Sequence, residues 1–119
     1  MDLIWEKARD VGRLIAQSDE YGAFKRASQA LSDDREAVTR LNRLQDLEET
    51  FQTSLQQGTE PPLEQQQEYE QLAGEVQRMP GYQALASAQS NFDRLMLRVN
   101  EEIAKGIEAG EQSRIILSS

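Results

Sequence analysis

Any chemistry in this chain would have to run on carboxylates. Its 119 residues include 21 Asp and Glu but neither His nor Cys. Disulfides, zinc sites of the usual ligand types, cysteine-held iron–sulfur clusters and Ser-His or Cys-His nucleophiles are therefore out of reach. The more serious enzyme alternative is a helical nucleotide pyrophosphohydrolase of the kind that binds Mg²⁺ through acids alone. It needs acids three residues apart on two facing helices. The candidate pairs are Asp33/Glu36, Asp46/Glu49 and Glu108/Glu111. The first two fall on one expected helix, and their offset of 13 residues turns them roughly 220° apart at 3.6 residues per turn. They cannot converge on one ion. The third lies beside Gly106 and Gly110. All three read as solvated surface acids, so the chain is expected to hold no catalytic, cofactor or metal residues and to be no enzyme.

The basic pairs Arg9/Arg13, Arg40/Arg43 and Arg94/Arg98 also sit at helical spacing and read as surface pairing, with a small patch for an acidic partner as the other reading. Glu36 and Arg40 form an i, i+4 pair in the favoured order. Trp5, the only Trp, stands beside the stripe Ile4, Ala8, Val11. A place at the rim of the core is its first reading and an interface anchor its second, because Trp is enriched at binding hot spots.

The elements that would position these residues are helices, since apolar residues recur at three and four throughout. Ile4, Ala8, Val11, Leu14 and Ile15 mark a first helix over about 3–17. Ser18 reads as the N-cap of a second, 19–31, with Asp19 and Glu20 in its first turn. Asp33 with Glu36 resembles a capping box opening a third helix, 33–57, that stops at Gly58. Pro61 suits the first turn of a fourth, 61–78, whose run Gln65-Gln66-Gln67 reads as a solvated face. After Met79-Pro80-Gly81 a long fifth helix spans 81–109 along Tyr82, Leu85, Ala88, Phe92, Leu95, Met96, Val99, Ile103 and Ile107. Gly106 and Gly110 weaken its end, and 111–119 reads as an apolar tail. The expected fold is an all-α helical bundle of about five helices, one domain over 1–110, with a long C-terminal helix. A shift of 61 residues places Val11, Ile15, Tyr21, Phe24, Ala27 and Leu31 on Leu72, Val76, Tyr82, Leu85, Ala88 and Phe92, as two similar helix–break–helix units would.

Hydrophobic residues make up 38% and charged residues 29%, a polar balance that suits thin helices completing their burial against a second copy. The net charge is −8 and unevenly spread. Residues 1–31 are neutral, 32–79 carry −7, and 80–119 add −1. Such a surface repels phosphate backbones and anionic lipid, so no direct nucleic-acid binding and no membrane insertion are expected. No stretch approaches the ~20 apolar residues of a membrane span. The start MDLIWEKARDVGRL has no apolar signal-peptide core. A cytoplasmic location is the expectation.

Three stretches resemble the YlbF/YmcA family of small bacterial helical proteins, which includes YheA-like members. They are Ala8 through Leu31 with its S-D-E-Y-G-A-F entry, the acidic start Ser32-Asp33-Asp34-Arg35-Glu36, and Val76 through Phe92 with its Met79-Pro80-Gly81-Tyr82 break. The likeness covers roughly 4–107. It implies a helical, commonly oligomeric protein without known enzymatic activity, tied to competence, sporulation and biofilm control. Some members assist mRNA processing by the membrane-tethered endoribonuclease RNase Y. Others share in iron–sulfur ligation through Cys, a property that cannot transfer to a chain without Cys.

The expectation is a non-enzymatic, protein-binding adaptor or regulator. It would be a homodimer or dimer of dimers, with a possible partner in an RNA-processing complex. A helical holdase-like or purely structural oligomer is the alternative, and a carboxylate-metal hydrolase comes third. The expected interface residues are Met96, Val99, Ile103 and Ile107, the tail residues Ile115, Ile116 and Leu117, and Trp5. Elemental analysis of protein purified under gentle, anaerobic conditions should find no stoichiometric transition metal; finding one would overturn the binding-protein reading.

Overall fold

A computed structural model describes the chain from Asp2 to Ser118, with the side chains beyond Ser113 outside the described residues. Five helices follow one another: α1 (Asp2–Ala16), α2 (Asp19–Asp33), α3 (Arg35–Gln56), α4 (Leu63–Arg78) and α5 (Pro80–Ser118). The fold is all-α, and no strand occurs among the described residues.

Local chemistry sets most boundaries. Ser18 ends α1 and begins α2. Its hydroxyl donates to the Ile15 carbonyl at 2.6 Å and accepts from the Tyr21 amide at 3.1 Å, so one side chain serves a free carbonyl and a free N–H. The two helices are separate, joined by a tight turn. At the next break the cap is Asp34, one residue later than expected. Its carboxylate accepts from the Ala37 amide at 3.2 Å, while Asp33 is the last residue of α2. Asp34 alone has the extended backbone a cap needs, and with Ala three residues on there is no reciprocal capping box. Gly58, at φ +72°, closes α3. The Gly58 amide reaches the Leu55 carbonyl and the Thr59 amide the Ser54 carbonyl, at 3.2 and 2.9 Å, the paired bonds of a Schellman end. Pro61 and Pro62 precede α4 rather than open its first turn, Pro62 acting as its cap without a side-chain bond.

Two further differences concern glutamines and glycines. Gln65 and Gln66 are half-buried, and the Gln66 amide donates to the Pro61 carbonyl at 2.8 Å, so only Gln67 fits the solvated face. More important, α5 does not stop near 109. Its backbone stays helical through Gly106 and Gly110 to Ser118, which replaces the expected tail. A glycine inside a helix costs about 1 kcal/mol, and the surrounding Ala104, Lys105, Glu108, Ala109, Glu111 and Gln112 are good enough helix formers to offset it.

The helices assemble around an antiparallel pairing of α2 with the first half of α5. The Phe92 ring lies 5.8 Å from Tyr21 and 5.7 Å from Phe24, nearly parallel to the latter. At the other end Leu31 packs over Gly81, where an added Cβ would meet its Cδ1 at 3.5 Å. The two members of the 61-residue echo thus face each other. The hairpin of α3 and α4 meets this seam through α2 and α5 respectively, and Leu47 and Val76 are buried in it. Arg43 grips Glu68 with two bonds of 2.8 and 2.7 Å, Arg40 approaches Glu75 at 3.5 Å, and Phe51 meets Tyr69 edge-on at 5.5 Å.

The outcome is an open, elongated bundle of 71 × 36 × 23 Å with a radius of gyration of 22.0 Å. A compact domain of this length would have about 13–14 Å. Among the described residues the buried apolar side chains are Leu31, Ala37, Leu47, Val76 and Ala88, a small core that makes each member count. Leu47→Ala should lower the unfolding free energy by about 3 kcal/mol in chemical denaturation. The bond to Arg43 holds the Glu68 carboxyl below its ordinary value. A depressed carboxylate stabilises above its unfolded pKa and loses that contribution as pH falls through the folded one. Carboxyl NMR titration should therefore show Glu68 moving back up in Arg43→Ala.

Candidate protein-binding surface

Beyond the α2–α5 seam, two segments run on in the same direction with little to cover them. One is α1, which among the described residues approaches the rest of the fold only where it turns into α2. The other is α5 after Leu95. Among the described residues no Cα of α1 comes within 8 Å of a Cα of α5, whereas helices packed directly lie 8–10 Å axis to axis. The two nevertheless form the walls of one open groove of about 630 Å³. The α5 wall is Met96, Val99, Asn100 and Ile103. The α1 wall is Leu3, Ile4, Ala8, Val11, Gly12 and Ile15, with the Lys7 stem.

Of the residues expected at an interface, Met96, Val99 and Ile103 come together in this groove. Ile103 is 52% and Ile107 66% exposed, the latter one turn beyond the groove. Trp5 is 53% exposed on the flank of α1, so the rim-of-core reading fails in the single chain: no second helix lies near enough to form a core there. Ile115, Ile116 and Leu117 belong to the last turns of α5, and their side chains lie outside the described residues.

The α1 wall of the groove is not among the residues that the sequence pattern singles out for an interface. A signal for it was present. Leu3 and Leu14 at one edge, Ile4, Val11 and Ile15 in the middle, and Trp5 at the other spread over roughly 200° of the helix at 3.6 residues per turn. A helix buried against one neighbour needs a stripe of about 100°.

Nothing in the groove resembles a reaction centre. The acid pairs sit elsewhere: Asp33 and Glu36 at the α2–α3 break, Asp46 and Glu49 on α3, Glu108 and Glu111 exposed on α5. The described residues contain no group of three or more acids placed to hold a metal. Among the described residues no helix is long and apolar enough to cross a membrane. What the groove offers is a long apolar trough bounded by two helices, the shape that receives a further helix.

The extent of the fold agrees with a family comparison. The family model for control of the competence regulator ComK, YlbF/YmcA, matches residues 4–108, from the first turn of α1 to beyond the groove. This chain belongs to the YlbF/YmcA family. Related chains include a UPF0342 protein of Leuconostoc citreum, 23% identical over 104 residues that cover 87% of this chain and 88% of the relative. A UPF0342 protein of Staphylococcus epidermidis is 22% identical over 105 residues, covering 88% and 92%. The family is regulatory, and the match includes the α5 wall of the groove and all of the α1 wall but Leu3.

Proposed function

We propose that this YlbF/YmcA chain works without chemistry, as a cytoplasmic adaptor that binds other protein chains through exposed helix faces. It would act in the regulatory processes its family implies: competence, sporulation and biofilm control, with RNase Y-dependent mRNA processing as one setting. The single observation that carries the reading is the apolar groove between α1 and α5. In a soluble chain with a core this small, leaving that many aliphatic side chains wet forgoes about 1.5–3 kcal/mol each relative to full burial. A partner surface is the physical remedy, and contiguous exposed apolar area of this kind marks interaction sites. Self-association to a homodimer or dimer of dimers belongs to the same reading.

The same exposed face also suits a holdase that shields unfolded chains, so the test separates the two. Affinity capture from the native cell at high salt, with mass-spectrometric identification, should return one folded partner in constant ratio to the bait. The purified chain at equimolar ratio should leave the aggregation of a heat-denatured client unchanged. Recovery of bait alone would sink the adaptor, and suppressed aggregation would install the holdase. Incubation with Mg²⁺ and nucleoside triphosphates should yield no product; turnover would reopen the carboxylate hydrolase.

A further inference from the structure

We propose that the α3–α4 hairpin carries a second docking surface, an apolar trough that receives a basic amphipathic helix of another protein. The inference goes beyond the adaptor reading, which rests on the groove at the opposite end of the fold. It names the chemistry of a further partner, and three observations carry it.

The first is shape. An open trough of about 520 Å³ runs between α3 and α4 up to the first turn of α5. Its floor is Leu41, Leu44, Tyr69, Ala73 and Tyr82, all half-buried, with Val76 buried beneath them. Gln45, Glu48 and Gln77 form exposed rims. Tyr82 also borders a second hollow of about 430 Å³ along α5, which adds Leu85 and Asp93. Two packed helices with an apolar seam and polar rims present the surface on which an amphipathic helix lies. The floor is held in place beforehand. Phe51 meets Tyr69 edge-on and Arg43 grips Glu68 with two bonds, so binding has little left to order.

The second is charge. The charged residues lining the two hollows are Glu48 and Asp93, both acids. The Tyr69 hydroxyl donates to the Glu48 carboxylate at 3.0 Å, which fixes that acid at the edge of the floor. At 3.6 residues per turn Glu49 falls on the flank of Gln45, and Glu70 on that of Ala73 and Gln77; both are exposed. Residues 44–77 hold eight acids and no Lys or Arg. Two of those acids are neutralised, Glu68 by Arg43 and Glu75 by Arg40, and neither lines the trough. Among the described residues Glu48, Glu49 and Glu70 enter no ion pair. A cationic rim on the partner balances them and steers its approach. The aromatic and aliphatic floor sets the other half of the specification, since a bare polycation has nothing to lay on Tyr69 and Tyr82.

The third is that this chain cannot supply the occupant. None of its five helices carries a net positive charge, and α1, the least acidic, is only neutral. A second copy therefore brings no basic helix to the trough, and the occupant is a different protein.

The probe is a Leu/Lys peptide of about 18 residues with its Leu on one helix face, set against a Leu/Glu peptide of the same pattern. Calorimetry should show binding of the first and none of the second. Amide NMR shifts caused by the Leu/Lys peptide should concentrate on Leu41, Leu44, Ala73 and Tyr82. Equal binding of the Leu/Glu peptide, or shifts confined to α1 and the second half of α5, overturns the proposal. Glu48→Lys with Glu70→Lys should weaken the Leu/Lys peptide roughly tenfold, because each reversal removes an attraction and adds a repulsion. Glu60→Lys with Glu64→Lys changes the net charge equally at positions that do not line the trough. That pair should cost less than about twofold, since salt screens distant charges. Equal losses in both pairs would mean diffuse attraction and sink the trough. All four positions are exposed, so helical circular dichroism should stay unchanged. A salt-resistant partner captured from cells, with no peptide bound in the trough, leaves the adaptor standing and ends this proposal. A peptide seated in the trough with no salt-resistant partner does the reverse.

Discussion

Phe92 is where the fold is decided. Its ring sits against Tyr21 and Phe24, two residues from the far end of the sequence, and fixes α2 antiparallel to the first half of α5. Aromatic contacts of this geometry add about 0.5–1.5 kcal/mol beyond the area they bury, and all three rings are half-buried at the seam. Every other element is placed by that seam. From one end the α3–α4 hairpin folds back over Leu31, Leu47 and Val76. From the other, α1 and the second half of α5 continue outward with nothing of the same chain between them.

The two ends differ in electrostatic character. Residues 44–77 contain eight acids and no Lys or Arg, and the hairpin is tied by cations from its base, Arg43 to Glu68 and Arg40 to Glu75. Those pairs are partly exposed, so they orient the hairpin more than they stabilise it. The packing of Leu47 and the Phe51–Tyr69 contact carries the weight there. Self-repulsion keeps such an arm solvated and apart from its copies. The opposite end is nearly neutral and apolar, the physical condition for association.

A chain without His or Cys has neither an imidazole nor a thiol to offer. The groove has no buried polar cluster to polarise a substrate and no acids converging on a point. It has aliphatic side chains on two rigid helices, held apart at one end of a seam. Regulation by a family of small helical proteins is consistent with that material, because coupling between partners needs complementary faces rather than reacting groups.

Sequence alone determined the class and most of the punctuation. Spacing of three and four gave helices, and Ser18, Gly58 and the Met79-Pro80-Gly81 break ended them where they end, because capping and left-handed backbone are local properties of a few residues. It also determined the missing chemistry, since no fold can supply an imidazole or a thiol that the chain lacks. Where two local signals competed, sequence was a poor judge: Asp33 and Asp34 could each cap α3, and only the backbone path chose Asp34. Gly106 and Gly110 looked like an end to α5, yet good helix formers on both sides carried it on. The fate of the apolar stripes was decided by tertiary structure alone. The pattern on α1 is the same whether it meets a core or solvent, and burial depends on which helix lies across from it. Beyond its turn into α2, α1 runs alongside the second half of α5 without packing directly on it, and that geometry turns an ordinary amphipathic helix into one wall of an open apolar groove.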